Sequence, residues 1–365
     1  MLKKLNRKIV LEDGNEFIGT GFGSNTDRVC ELVFSTSMVG YQEAITDPSV
    51  AYQMIVMGYS VIGNYGMTDE DSESKMPTVG ALVVREYNDN PSNFRYTKTL
   101  SESMEDYGIP GIERIDTRKL IKHIRDHGSQ KALITSSETP VERALEIIKN
   151  KKIPENIVER ISCKKRWYSR TSNAKYNVVV IDCGVNLTIP KLLNRLKCNV
   201  TVVPHDTPVE TIEKISPDGI LISNGPGNPN NVTSVIELIR NIRGKYPLFG
   251  IGLGHQLIAL AYCADVIKLK YGRSGGNHAV KNLETGKLAI VAQGNEYSVS
   301  EKSLEGTGLD VTYKDCFSGT VEGVECKKDK VFSVQFHPEG SPGPDDAKEV
   351  FDKFIRLIEE EKCNG

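Results

Sequence analysis

The sequence predicts an α/β protein in two parts: a β-rich α+β domain over residues 1–150 and a parallel-sheet domain over 176–365, joined by 151–175. Three observations carry this reading. At 365 residues the chain is long for a single domain, since one domain usually takes about 100–200 residues. Its first part shows short apolar segments broken by turn residues. Its second part alternates β-branched runs with helical patterns, the rhythm of a parallel sheet covered on both faces.

Taken in order, residues 8–12 run into the turn pair Asp13-Gly14, and segments 17–22 and 29–36 follow as further strands. Residues 116–125 form a helix, capped by Asp116 or Thr117 and stopped by Gly128. Residues 151–175 turn basic and polar and read as a linker, with Trp167 as its anchor. Strands are then expected at 176–183, 199–203, 218–223 and 246–251, with a helix at 232–243 before the last. His123 and His127 stand one helical turn apart without a third ligand nearby, so they read as an exposed face and not a metal site.

Composition narrows the function classes. Hydrophobic residues make up 39% and charged residues 26%, and the net charge is −2 with both signs interleaved. No block of like charge suits nucleic acid or an anionic membrane surface. No apolar run reaches the ~18–20 residues of a membrane span, and the start lacks the apolar core of a signal peptide. The eight cysteines are scattered without a CxxC pair, which argues against structural zinc and against a disulfide framework. A cytoplasmic setting is expected.

The sharpest motif is P-L-F-G-I-G-L-G-H-Q-L-I-A-L-A at 247–261. An apolar strand enters a glycine-spaced turn and a helix follows, the shape of a nucleophile elbow. N–H groups at the new helix start face whatever occupies the turn. Its central residue is Gly252, which has no side chain to attack with but tolerates positive φ. On this motif alone, a plain strand-to-helix turn is an equal reading. A dinucleotide site is disfavoured, because the third glycine of that fingerprint would fall on His255. Farther on, a strand delivers His337 to a turn with Pro338 and Glu339, the base and orienter that a thiol or hydroxyl nucleophile requires. The third signal, S-N-G-P-G-N-P at 223–229, is a rigid loop closing a strand of the expected sheet, on the edge where open α/β sheets bind ligands.

Together these resemble the class I glutamine amidotransferases, whose elbow reads G-I-C-L-G-H-Q, whose loop reads S-N-G-P-G-D-P and whose base element is H-P-E. The resemblance extends to the small subunits of carbamoyl phosphate synthetase through the tail at 337–347 and through F-S-T-S-M-V-G-Y-Q-E at 34–43 and T-D-P-S at 46–49. It implies a large-subunit partner docked on the first domain, with ATP and magnesium held there and no cofactor in this chain. The small subunit would release ammonia from glutamine for carbamoyl phosphate, feeding pyrimidine and arginine synthesis. By position, Gly252 stands where the nucleophile would be, His337 is the base and Glu339 its orienter. Leu253 N–H with Gly225 and Gly227 would form the oxyanion and substrate loop, and Gln256, Ser37 and Tyr297 would hold glutamine.

Several positions depart from that pattern. The cysteine is replaced by Gly252. The family's Q-N-H-G-[FY] is Gln293-Gly294-Asn295-Glu296-Tyr297 here, and Glu296 sets a carboxylate where the family has a glycine beside the substrate, which would repel glutamine's own carboxylate. D-[FCY]-G-x-K-x-N-I has become Asp182-Cys183-Gly184-Val185-Asn186-Leu187-Thr188-Ile189, and the loop's acid is Asn228. The expectation is a subunit without glutaminase activity whose synthetase uses ammonia. The alternatives are an active glutaminase carrying an engineered glycine and a free-standing regulatory protein.

Overall fold

The protein is described here by a computed structural model covering residues 5–364. The chain divides into two compact units, Met1–Pro154 with Lys270–Gly275 and Glu155–Leu269 with Gly276–Gly365. The division falls after Pro154, and the return of 270–275 to the first unit was not foreseen.

The first unit is a closed barrel of seven strands. Around the barrel these are Arg7–Leu11, Glu16–Gly23, Pro110–Glu113, Ala81–Val83, Gln53–Met57, Arg28–Ser35 and Lys131–Ser136, the last pairing back to the first. Strand alternation sorts the core: Ile9, Leu32, Met54, Ala81, Ile112 and Ile134 share one cluster, whereas their neighbours Val33, Ile55 and Leu82 join a second. Asp13 makes the expected turn, its Oδ1 accepting from Asn15 N at 3.0 Å. Helix Thr117–His127 begins as the sequence indicates, with Asp116 Oδ1 accepting from Lys119 N at 3.0 Å. His123 corrects one expectation: its Nε2 lies 2.6 Å from Asp13 Oδ2 and its side chain is only 16% exposed, so it ties helix to hairpin.

The second unit is built on a ten-stranded sheet. Five neighbouring strands are parallel, in the order Cys198–Pro204, Tyr176–Asp182, Gly219–Ile222, Leu248–Ile251 and Val331–Val334. Antiparallel strands extend it beyond Val331–Val334 through Val321–Cys326 and Asp310–Asp315. Val179, Ile181, Ile220 and Ile222 pack against helices Thr233–Ile242 and Leu253–Ala261 on one face. Val178, Val180, Leu221, Phe249 and Phe332 meet Phe351, Phe354 and Ile358 of the C-terminal helix on the other. Both faces are therefore apolar, as parallel strands require.

The supposed linker is structured. Trp167–Ser169 is an edge strand running antiparallel to Cys198–Pro204, and helix Ile157–Ile161 precedes it. Its basic composition reflects an exposed edge, where charge blocks further strand pairing. Among the described residues no helix is long and apolar enough to cross a membrane.

Candidate active site

Four adjacent parallel strands end at Asp182, Ile222, Ile251 and Val334. The turns that follow them carry Asn186, Asn224, Gly252, and the pair His337 and Glu339. The chain order reverses here, since Tyr176–Asp182 connects outward to Cys198–Pro204 while the later strands add on its other side. This switch point at the carboxyl edge is where such sheets bind ligands.

The elbow depends on three glycines used in two ways. A Cβ on Gly250 would lie 2.6 Å from Ile258 Cδ1, and one on Gly254 would lie 2.2 Å from the Ile222 carbonyl oxygen. These two let helix Leu253–Ala261 press against the sheet. Gly252 is different. Its φ is 59° and ψ −110°, while a Cβ there would come no closer than 3.3 Å to Asn224 Cβ. The turn has room for a side chain in a conformation that suits glycine. Backbone bonds hold it: Gly252 N donates to Val334 O at 2.9 Å and Gly254 N to Ser223 O at 3.1 Å.

His337 is fixed at both ends. Its backbone N–H donates to Ala292 O at 2.9 Å, and its ring Nδ1 lies 2.9 Å from Glu339 Oε1. The Glu339 side chain is fully buried and that of His337 is 4% exposed. Glu339 Oε1 also accepts from Asn186 Nδ2 at 3.1 Å, and Asn186 N donates to Asn224 Oδ1 at 3.1 Å. Sequence reasoning had set Asn186 aside as a lost lysine. The structure makes it part of the His337–Glu339 array, a contact across 153 residues that no local pattern reveals.

The other expected residues are placed as follows. Gly225 presses on the neighbouring strand end, where a Cβ would lie 2.1 Å from the Cys183 carbonyl oxygen and 3.0 Å from Leu253 Cδ2. Loop and elbow thus meet. Gly227 takes φ +87°, and the direction of its absent Cβ leads toward Ile157. Gln256 Nε2 donates to Tyr297 O at 3.0 Å and to Gln335 Oε1 at 2.9 Å, so both amide hydrogens serve the protein. Asn228 Oδ1 accepts from Asn230 N at 3.0 Å and caps its own turn. Ser37 is buried in the first unit just beyond strand Arg28–Ser35.

On strand Leu288–Val299, Gln293 Nε2 reaches away to Glu322 Oε2 at 2.8 Å. Gly294 faces the histidine: a Cβ there would stand 3.4 Å from His337 Nε2. Alternation puts Glu296 on the same strand face. His255, next to the elbow, is a packing residue whose Nδ1 is 2.9 Å from Ser333 Oγ; burial pushes its pKa down to about 3, so it is neutral. No group of three or more side chains able to hold a metal occurs among the described residues.

Comparison with known proteins agrees with this geometry. Residues 9–134 match the carbamoyl-phosphate synthase small chain, CPSase domain, and residues 179–357 match glutamine amidotransferase class-I. The carbamoyl phosphate synthase small chain of Bacillus cereus (strain ATCC 10987 / NRS 248) is 44% identical over 361 residues, covering 99% of this chain and 98% of the relative. That of Listeria innocua is 45% identical over 352 residues, 96% of each. Both halves match in order and the relatives share nearly the full length, so the chain belongs to the carbamoyl phosphate synthase small-chain family.

Proposed function

We propose that this chain serves as the small subunit of a carbamoyl phosphate synthase without hydrolysing glutamine, and that its large-subunit partner draws on free ammonia. The observation that carries the reading is Gly252, an elbow with the turn, the helix and the His337–Glu339 pair kept and no nucleophile between them. Removing a nucleophile that works as part of such a unit costs on the order of 10⁶ in rate, about 8 kcal/mol of barrier. No other thiol takes its place. Cys183 is buried, and burial pushes its pKa up, which disfavours the thiolate. Cys263 lies past the far end of the elbow helix.

The first unit would form the docking domain, and ATP, magnesium and bicarbonate would be handled by the large subunit. Mixing the chain with a large subunit and supplying ammonium or glutamine as the nitrogen source tests this. Carbamoyl phosphate is expected with ammonium alone. Product that depends on glutamine would refute the proposal. A second reading, an active glutaminase whose cysteine was exchanged for glycine, draws support from the room beside Gly252. The natural codon at position 252 decides between the two.

A further inference from the structure

A cavity of about 350 Å³ lies between the C-terminal helix Glu349–Asn364 and the turn that follows strand Val266–Asn282. That volume suits a small metabolite. Val350, Leu357 and the Tyr313 ring give the cavity its apolar surface. Tyr313 stands opposite Asn282 on the neighbouring strand, and its ring meets Phe336 edge-on with centroids 5.4 Å apart.

The walls carry charge of both signs: Glu284, Glu349 and Glu360 against Lys287, Lys353 and Arg356. A simple anion or cation would meet as much repulsion as attraction there. Glu349, Lys353, Arg356 and Glu360 form one stripe of the helix, spaced four, three and four residues apart. On such a stripe Glu349 would ordinarily pair with Lys353, and Arg356 with Glu360. Neither pair forms. Lys353 turns away, its Nζ 2.9 Å from Glu325 Oε2 and 5.0 Å from the centroid of the Phe332 ring. Glu349 and Arg356 have no ion pair among the described residues. Seven residues separate them, about 10 Å along the helix, a span that one small molecule can close.

Tyr313 adds a directed donor. Its hydroxyl accepts from Asn282 Nδ2 at 3.0 Å, while Asn282 Oδ1 accepts from Glu284 N and Thr285 N, each at 3.0 Å. Those two backbone donors fix which way the amide points. The phenol therefore spends a lone pair on Asn282 and keeps its proton for another acceptor. Burial pushes its pKa up, with Asn282 opposing and Glu349 and Glu284 adding, so the proton stays on.

We propose that this cavity binds a free amino acid with an apolar side chain as a zwitterion. Arg356 and the Tyr313 hydroxyl take its carboxylate, Glu349 takes its ammonium, and its side chain rests on Val350 and Leu357. A zwitterion is the one charge type that gains at both ends of a wall whose acids and bases balance. None of these residues belongs to the elbow, to the Ser223–Pro229 loop or to the His337–Glu339 pair, so binding here is independent of glutamine chemistry.

Isothermal titration of the full chain with L-leucine tests this, alongside leucinamide, which lacks the carboxylate, and 4-methylpentanoate, which lacks the ammonium. L-Leucine should bind with a Kd of about 1 mM or tighter. Each analogue should bind about tenfold or more weakly, the cost of one lost charge-assisted contact. Glu349 and Arg356 are exposed, so Glu349→Gln and Arg356→Gln leave the fold intact. Each should weaken L-leucine by about tenfold. Arg356→Gln should also erase the advantage of L-leucine over leucinamide, and Glu349→Gln its advantage over 4-methylpentanoate. The proposal is overturned if L-leucine does not bind, if either analogue binds the unmodified chain as tightly, or if either substitution leaves the affinity for L-leucine unchanged.

Discussion

Replacing Gly252 with cysteine separates the shape of the elbow from its chemistry. The added Cβ meets Asn224 Cβ at 3.3 Å and Asn224 Cα at 3.6 Å, contacts that a few tenths of an ångström of movement relieve. The main cost is conformational. A non-glycine residue at φ 59° and ψ −110° costs about 1–3 kcal/mol, offset by about 0.4–1 kcal/mol because the unfolded chain becomes less flexible. The net loss of about 1–2 kcal/mol corresponds to a fall in Tm of roughly 2–8 °C for a unit of this size. Gly254→Ala is the control. Its Cβ would sit 2.2 Å from Ile222 O and 2.8 Å from Ile222 C, so a whole strand must yield, and the loss should exceed that of Gly252→Cys. Thermal and urea unfolding rank the two variants. Ammonia release from glutamine by Gly252→Cys should rise by roughly 10³–10⁵ over the unmodified chain, short of the roughly 10⁶ a nucleophile is worth, because Gly294 and Glu296 remain. If Gly252→Cys is as destabilising as Gly254→Ala, the elbow does not have the room assigned to it. If the unmodified chain releases ammonia as fast as the variant, the thiol is not the missing part.

Three further outcomes follow from the same geometry. In the Gly252→Cys background, Glu339→Gln should lower ammonia release by about 10²–10⁴, because the carboxylate facing His337 Nδ1 becomes a neutral amide that no longer stabilises a protonated ring. His255 has its pKa held at about 3 against an ordinary 6.5 by burial. The unfolded chain therefore takes up the proton first, and stability present above pH ~6.5 is lost toward pH 3 at up to about 1.4 kcal/mol per pH unit. His255→Gln should flatten that acid limb in urea titrations between pH 6.5 and 5. Glu43 in the first unit acts in the opposite sense. Burial, with Asp71 and Glu73 adding to it, pushes its pKa up to about 7 from 4.5. The folded state then holds the proton more tightly, so stability falls as pH rises from about 4.5 to 7, and Glu43→Gln should abolish that slope.

What the sequence disclosed and what it concealed divide along physical lines. The elbow was legible because Gly250 and Gly254 are demanded by strand-helix contact within a few residues. His337 and Glu339 were legible because two positions of separation suffice for their hydrogen bond. The strand pattern of the second unit followed from continuous apolar runs. Asn186 was not legible, since its partner is set by which strands lie side by side. Nor was the barrel closure, which needs Lys131–Ser136 to find Arg7–Leu11 across the whole first unit. The edge strand Trp167–Ser169 escaped notice because three residues between basic flanks carry no periodicity. Gln256 was expected to face a ligand, and its amide proved to tie the helix to Tyr297 and Gln335.

The turn at Gly252 is held by main-chain bonds to Val334 and, through Gly254, to Ser223, and its neighbours are glycines for reasons of packing. Selection for a well-folded sheet therefore preserves the cradle whether or not any chemistry happens in it. A glycine codon that ends in a pyrimidine becomes a cysteine codon by a single first-base change, so from such a codon the sulfur is one point mutation from return. Under the proposed function, a loss held by so small a genetic step is easily reversed, and a lineage carrying this chain keeps glutamine chemistry within reach of its descendants.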